Sequence, residues 1–142
     1  MDGTQATAAQ LAHELRETLG RLVRRLRAEP GPPVGQLAVL GRLGREGPAS
    51  ISDLAAAERM RPQSMAQTVR DLEEAGLVSR RPDPTDARRA FVELTAAGHD
   101  ALQSARAARE DWLTRALDRE LDPREREALE QAVALLRRIA EA

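Results

Sequence analysis

Gly76-Leu77-Val78-Ser79-Arg80-Arg81-Pro82-Asp83-Pro84-Thr85-Asp86-Ala87-Arg88-Arg89-Ala90-Phe91-Val92-Glu93-Leu94-Thr95 is the stretch that decides the fold. Upstream of Gly76 the apolar residues recur at helical spacing, and downstream the period changes. Leu77–Arg81 and Ala90–Leu94 carry β-formers, and between them lies a run of Pro, Asp and Thr. Proline presets φ, and Asp and Thr side chains bond to nearby backbone, so such a run favours a turn. The expectation is a β-hairpin with a charged tip. Gly76 stands where a helix would end in a left-handed residue.

Working outward toward the N-terminus, Arg61-Pro62 opens a helix with proline at a tolerated first-turn position. Met65, Val69 and Leu72 form its inner face. A shorter helix precedes it, opened by Ser50-Ile51-Ser52-Asp53 in the pattern of a capping box, in which the hydroxyl takes an early amide and the acid reaches back. It buries Ile51, Leu54 and Ala55 and runs out near Arg59. Before that, Val34 to Glu46 places Leu37, Leu40 and Leu43 on one face and ends at Gly47-Pro48. The first helix runs from about Gln5 to Ala28, with Leu11, Leu15, Leu19, Leu22 and Leu26 at spacings of three and four. Glu29-Pro30-Gly31-Pro32-Pro33 stops it, because consecutive prolines lack amide donors.

Beyond the hairpin, Thr95 caps a long helix to about Arg119, with Leu102, Ala105, Trp112, Leu113 and Leu117 inside. Asp122-Pro123-Arg124-Glu125 opens a last helix that places Leu129, Val133, Leu136 and Ile139 inside. The fold class is mainly α with a small β-hairpin, in the order of a winged helix-turn-helix flanked by N- and C-terminal helices. The expected organisation is one structural unit, with residues 1–33 an N-terminal helix and linker, 34–95 the winged helix-turn-helix and 96–142 the C-terminal helices.

That order carries a chemistry. A recognition helix buries one stripe so that the opposite stripe, of short polar side chains, can enter a major groove about 12 Å wide. The helix after Arg61 offers Gln63, Ser64, Gln67, Thr68 and Arg70 on that stripe. Gln can bond adenine bidentately, Arg guanine or phosphate, and Ser or Thr either kind of edge. The candidate DNA-binding set is therefore Arg61, Gln63, Ser64, Gln67, Thr68 and Arg70, with Arg88 and Arg89 from the hairpin tip.

Asp83-Pro84-Thr85-Asp86-Ala87-Arg88-Arg89 followed by Phe91-Val92-Glu93-Leu94-Thr95-Ala96-Ala97-Gly98 resembles the signature of the MarR family of bacterial transcriptional regulators. There the run appears as Asp-Pro, a variable residue, Asp-x-Arg, then a strand ending Leu-Thr and a Gly three residues later. Leu72-Glu73-Glu74-Ala75-Gly76-Leu77-Val78 is similar to that family's exit from the recognition helix. The resemblance implies that Arg88 inserts into the minor groove with Asp86 holding its guanidinium, a placement that suits the pull of narrow minor grooves on Arg. It also implies a homodimer on double-stranded DNA and a small aromatic or anionic effector that releases it, in a pocket that Trp112 and Arg16 could line. Two positions depart from the family. Ala66-Gln67 stands where Thr or Ser followed by Arg is common, and Ala87 stands where Arg commonly follows the wing Asp.

Composition sets the bounds. The 142 residues fit one domain, and 42% apolar residues with 32% charged exclude a disordered chain. Cysteine is absent, which removes disulfides and thiolate chemistry. The net charge of -1 argues against non-specific coating of nucleic acid. From Arg59 to Ala90, however, seven Arg face five acids, a local balance of +2. Every basic side chain is Arg. The start of the chain lacks a basic segment followed by an apolar run, and no uncharged stretch could span a bilayer, so a cytoplasmic location away from membranes is expected.

No nucleophile elbow is present, the paired acids fit a helix surface and a turn, and His13 and His99 are isolated, so neither catalysis nor a metal or other cofactor is expected. The function read from these residues is a repressor that binds a pseudo-palindromic operator as a homodimer. A helical interaction module whose winged helix contacts a protein partner is the alternative.

Overall fold

The computed structural model describes residues 5–142. Its elements are α1 (Ala8–Arg27), α2 (Val34–Glu46), β1 (Ala49–Ser50), α3 (Ile51–Ala57), α4 (Pro62–Glu74), β2 (Val78–Pro82), β3 (Ala90–Leu94), α5 (Ala96–Glu120) and α6 (Pro123–Ala140). The mainly helical winged-helix fold is as expected. The described residues through Leu26, with Arg109–Ala142, form one compact unit, and Arg27–Ala108 forms the other.

In the unit of Arg27–Ala108 the helical stripes and the hairpin close on one another. Leu40 of α2, Leu54 of α3, Met65, Val69 and Leu72 of α4 and Val92 of β3 are all fully buried. At roughly 1.5–3 kcal/mol for each large apolar side chain taken from water, this cluster is the main support of the unit. Between α2 and α3, the Arg42 guanidinium bonds Glu58 at 2.7 Å and Glu46 at 3.0 Å. The bond to Glu58 is the first reason that its pKa is raised.

The sheet has one strand more than the sequence suggested. Its order is β1-β3-β2, with Val78–Pro82 antiparallel to Ala90–Leu94 and with Ala49 and Ser50 paired to Val92 and Phe91. Two residues carry too little periodicity to be read as a strand. Their presence corrects the expectation at the start of α3. Ser50 Oγ does accept the Asp53 amide at 3.1 Å, but the return half of the capping box is not formed. Ser50 is held in β1, and the Asp53 carboxylate turns to Arg89 at 3.3 Å.

Two glycines are fixed by geometry. Gly76 has φ +75, the left-handed residue just past the end of α4. Gly98 lies in the first turn of α5, where an added Cβ would run into the Leu77 carbonyl. Thr95 ties the same junction, its hydroxyl donating to the Gly76 carbonyl at 2.6 Å and accepting the Gly98 amide at 3.0 Å. The spacing Leu-Thr-x-x-Gly is thus the packing of α5 onto the exit of α4.

The other unit differs from expectation in its interior. α1 and α6 have no buried residue. Leu129, Val133 and Ile139, expected inside, are 38%, 43% and 62% exposed, and Leu11 and Leu19 of α1 are 57% and 40% exposed. Trp112 and Leu117 are half-buried. The stripes are real but extend further than one chain covers. The helix ends are well specified: Asp122 and Glu125 form a capping box at α6. Thr7 and Gln10 bond reciprocally at 2.9 and 3.2 Å, which starts α1 at Ala8 rather than Gln5.

Candidate nucleic-acid interface

α4 is built to show one face. Arg61 is its N-cap residue, with extended backbone and no side-chain cap bond, and Pro62 fills the first turn. With Met65, Val69 and Leu72 locked in the core, helical geometry turns Gln63, Ser64, Gln67 and Arg70 outward, and all four are exposed. Thr68 is half-buried, and its hydroxyl donates to the Ser64 carbonyl at 3.1 Å. Along the exposed face the Arg70 guanidinium donates to Gln67 Oε1 at 2.9 Å, and Gln67 Nε2 donates to Asp71 at 2.9 Å. The chain Arg70–Gln67–Asp71 fixes the orientation of the Gln67 amide before any ligand arrives. Sequence spacing alone had not singled out Asp71.

The turn linking α3 to α4 carries Arg59 at φ +53, a left-handed conformation that most side chains avoid. Met60 is hydrogen-bonded back to the Ala55 carbonyl at 2.9 Å. This tight reversal sets α4 against α3.

The wing is organised from its carboxylates outward. Asp83 Oδ1 accepts both the Thr85 amide and the Thr85 hydroxyl at 2.8 Å. These bonds, the amide first, hold the Asp83 carboxyl below its ordinary pKa. The Asp83 amide in turn donates to the Arg89 carbonyl at 3.1 Å, and the Arg89 amide to the Asp86 carbonyl at 3.0 Å. The tip is a closed, self-bonded loop. In sequence Asp83 stands as one residue of the turn, and Asp-x-Thr is the spacing at which a carboxylate bonds the backbone two residues on.

Asp86 supports Arg88 chiefly through the backbone. Its carboxylate accepts the Arg88 amide at 3.0 Å, while the guanidinium stands 3.6 Å away. The Arg88 side chain is 94% exposed. Arg89 is disposed differently: its guanidinium donates to Ser50 Oγ at 3.1 Å and meets Asp53 at 3.3 Å. Arg80 and Arg81 on β2 are also engaged, Arg80 with Glu73 at 2.8 Å and Arg81 with Glu93 at 3.3 Å. Much of the local positive charge is therefore paired internally, and Arg88, at 94%, is far more exposed than Arg80, Arg81 and Arg89 of the same hairpin.

In the other unit the Arg25 guanidinium lies 4.3 Å from the centre of the Trp112 ring. Arg16 lies on an open groove of α1 with Glu17, Gly20, Arg21 and Arg24. Among the described residues no helix is long and apolar enough to cross a membrane.

The MarR family model matches residues 33–90, from the start of α2 to the first residue of β3. A relative in Mycobacterium bovis, named as an uncharacterized HTH-type transcriptional regulator, is 37% identical over 131 residues, covering 90% of this chain and 91% of its own. The crystal structure of a transcriptional regulator of Pseudomonas aeruginosa is 43% identical, superposes with a TM-score of 0.87 and covers 96% of this chain and 99% of that one. A further similar structure is Bordetella bronchiseptica BpsR, whose DNA binding is regulated by 6-hydroxynicotinic acid. It is 25% identical with a TM-score of 0.64, covering 92% of this chain and 98% of its own. The chain belongs to the MarR family, and it is a winged helix-turn-helix transcriptional regulator that binds DNA and is not an enzyme.

Proposed function

We propose that this regulator is a cytoplasmic repressor that occupies a pseudo-palindromic operator as a homodimer. Gln63, Ser64, Gln67, Thr68 and Arg70 read the major groove, Arg61 meets the backbone at its edge, and Arg88 enters the neighbouring minor groove. The observation that carries this reading is the combination, in one unit, of an outward polar face on α4 with an Arg88 side chain that is 94% exposed at the wing tip. A cation left in solvent at the end of a self-bonded loop suits a narrow groove of strong negative potential.

The homodimer is supported by the exposed apolar residues of α1 and α6, Leu11, Leu19, Val133 and Ile139 among them. A second copy would remove these from water. Two-fold pairing would set two recognition helices about 34 Å apart, one turn of duplex. Repression needs only that the occupied site block polymerase. Release by a small aromatic or anionic compound is supported by BpsR, whose DNA binding is regulated by 6-hydroxynicotinic acid, an aromatic acid.

Light scattering and a footprint test this together. Expected are a dimer at micromolar concentration and two protected half-sites. A monomer bound to one half-site would contradict the reading.

A further inference from the structure

Arg88 and Arg89 are neighbours in sequence, and their side chains do opposite things. Arg88 projects into solvent, whereas Arg89 reaches back across 39 and 36 positions of sequence to Ser50 and Asp53. Ser50 is buried, and its Oγ also accepts the Asp53 amide, so the acceptor that receives Arg89 is itself fixed.

The sheet explains why a side chain is needed here. β1 pairs with β3 only at Val92 and Phe91, and the chain then turns into α3 at Ile51. Past Phe91 the edge of β3 that faces β1 has no strand beside it. From that point to the tip the wing is a two-stranded ribbon, and such ribbons twist freely. The Arg89 guanidinium makes its bond to Ser50 just beyond the place where backbone pairing to β1 ends.

We propose that Arg89 is a positioning residue: by clasping Ser50 and Asp53 it anchors the root of the wing to the start of α3 and so fixes where Arg88 is presented to DNA. This rests on reading Arg88 as a DNA contact. The planar guanidinium can engage a hydroxyl and a carboxylate at once, a geometry that the Lys ammonium does not reproduce. The pair with Asp53 is exposed and screened, so the bond to buried Ser50 is the stronger half.

The test uses the full-length protein and the duplex that it selects from a random-sequence pool, with affinity followed by fluorescence anisotropy over a salt series. A side chain that meets phosphate or groove contributes to the salt dependence, and its loss lowers the slope by about one per protomer. Arg88→Ala is expected to weaken binding and lower the slope. Arg89→Ala is expected to weaken binding about tenfold with the slope unchanged, and to remove most of the effect of Arg88→Ala in the double variant.

Asp53→Asn gives a further discrimination. It removes a negative charge, which simple electrostatics would make favourable to DNA binding, yet it weakens the lesser half of the clasp, so no gain in affinity is expected. The isosteric change leaves the backbone bond to Ser50 in place. A lowered slope or unchanged affinity for Arg89→Ala, additivity with Arg88→Ala, or tighter binding by Asp53→Asn would overturn the clasp while leaving the wing reading intact. Arg88→Ala without effect would overturn both.

Discussion

The two units of this chain solve the same problem to different degrees. The winged helix-turn-helix closes its own core: Leu40, Leu54, Met65 and Leu72 are fully buried, each drawn from a different turn or element of one stripe-against-stripe arrangement. α1 and α6 have stripes of the same kind and bury none of their residues completely, and Ile139 remains 62% exposed. Equal periodicity therefore leads to unequal burial. An amphipathic stripe states that a face wants cover, and it does not state whether the cover comes from the same chain.

The contrast is open to direct attack, most severely in the closed core. Leu54→Ala removes a fully buried side chain from the junction of α3 and α4 and is expected to cost about 2–5 kcal/mol in a denaturant titration. A cost under about 1 kcal/mol would mean that the core is looser than its geometry. Ile139→Arg should do little to the fold of a single chain, yet it should shift a dimer toward monomer. The melting temperature, which for a dimer rises with protein concentration, should then depend on it less. Unchanged mass in light scattering across that variant and Val133→Arg would show that α6 is not covered by a second copy.

At the interface with DNA the comparison is between wing and recognition helix. Arg88→Ala should weaken binding about tenfold, and by a similar factor on every duplex tried, because a minor-groove cation reads shape more than sequence. Gln67→Ala should change the preferred base at one or two positions, with a smaller loss of affinity on the selected duplex. Parallel selections with the two variants check this. If Arg88→Ala alters preference and Gln67→Ala does not, the two roles are exchanged.

The smallest effect concerns the wing loop and acid. Asp83 is held below its ordinary pKa by the Thr85 amide, so the folded loop favours the carboxylate. Its contribution to stability is present above the pKa of the unfolded chain and is lost as pH falls through the lower pKa of the folded one. Protection of the Thr85 amide, relative to its intrinsic exchange rate at each pH, should fall at acidic pH and, in Asp83→Asn, at neutral pH too. Equal protection in the variant and the wild type would remove Asp83 from the account.

Most of the fold was legible because its signals are local. Met65, Val69 and Leu72 gave the buried stripe of α4, Gly76 its end, and the Pro-Asp-Thr run the wing. The exposed polar set of α4 followed from the same periodicity. What was not legible depends on partners distant in the chain. β1 is a strand only because Val92 and Phe91 lie beside it, and a pair of residues has no period to read. Arg88 and Arg89 are identical in type and adjacent, and only the fold separates the side chain that faces solvent from the one that reaches Ser50. The capping box expected at Asp53 was half right for the same reason, since the distant Arg89 takes the carboxylate.

A hydroxyl-radical footprint of the wild-type protein on its selected duplex tests the central claim most directly, because it reports DNA contact and pairing together. The account predicts two protected half-sites related by a dyad, about one helical turn apart, each with protection in the adjacent minor groove that disappears in Arg88→Ala. A single protected half-site, or a minor groove equally open in wild type and variant, would contradict it.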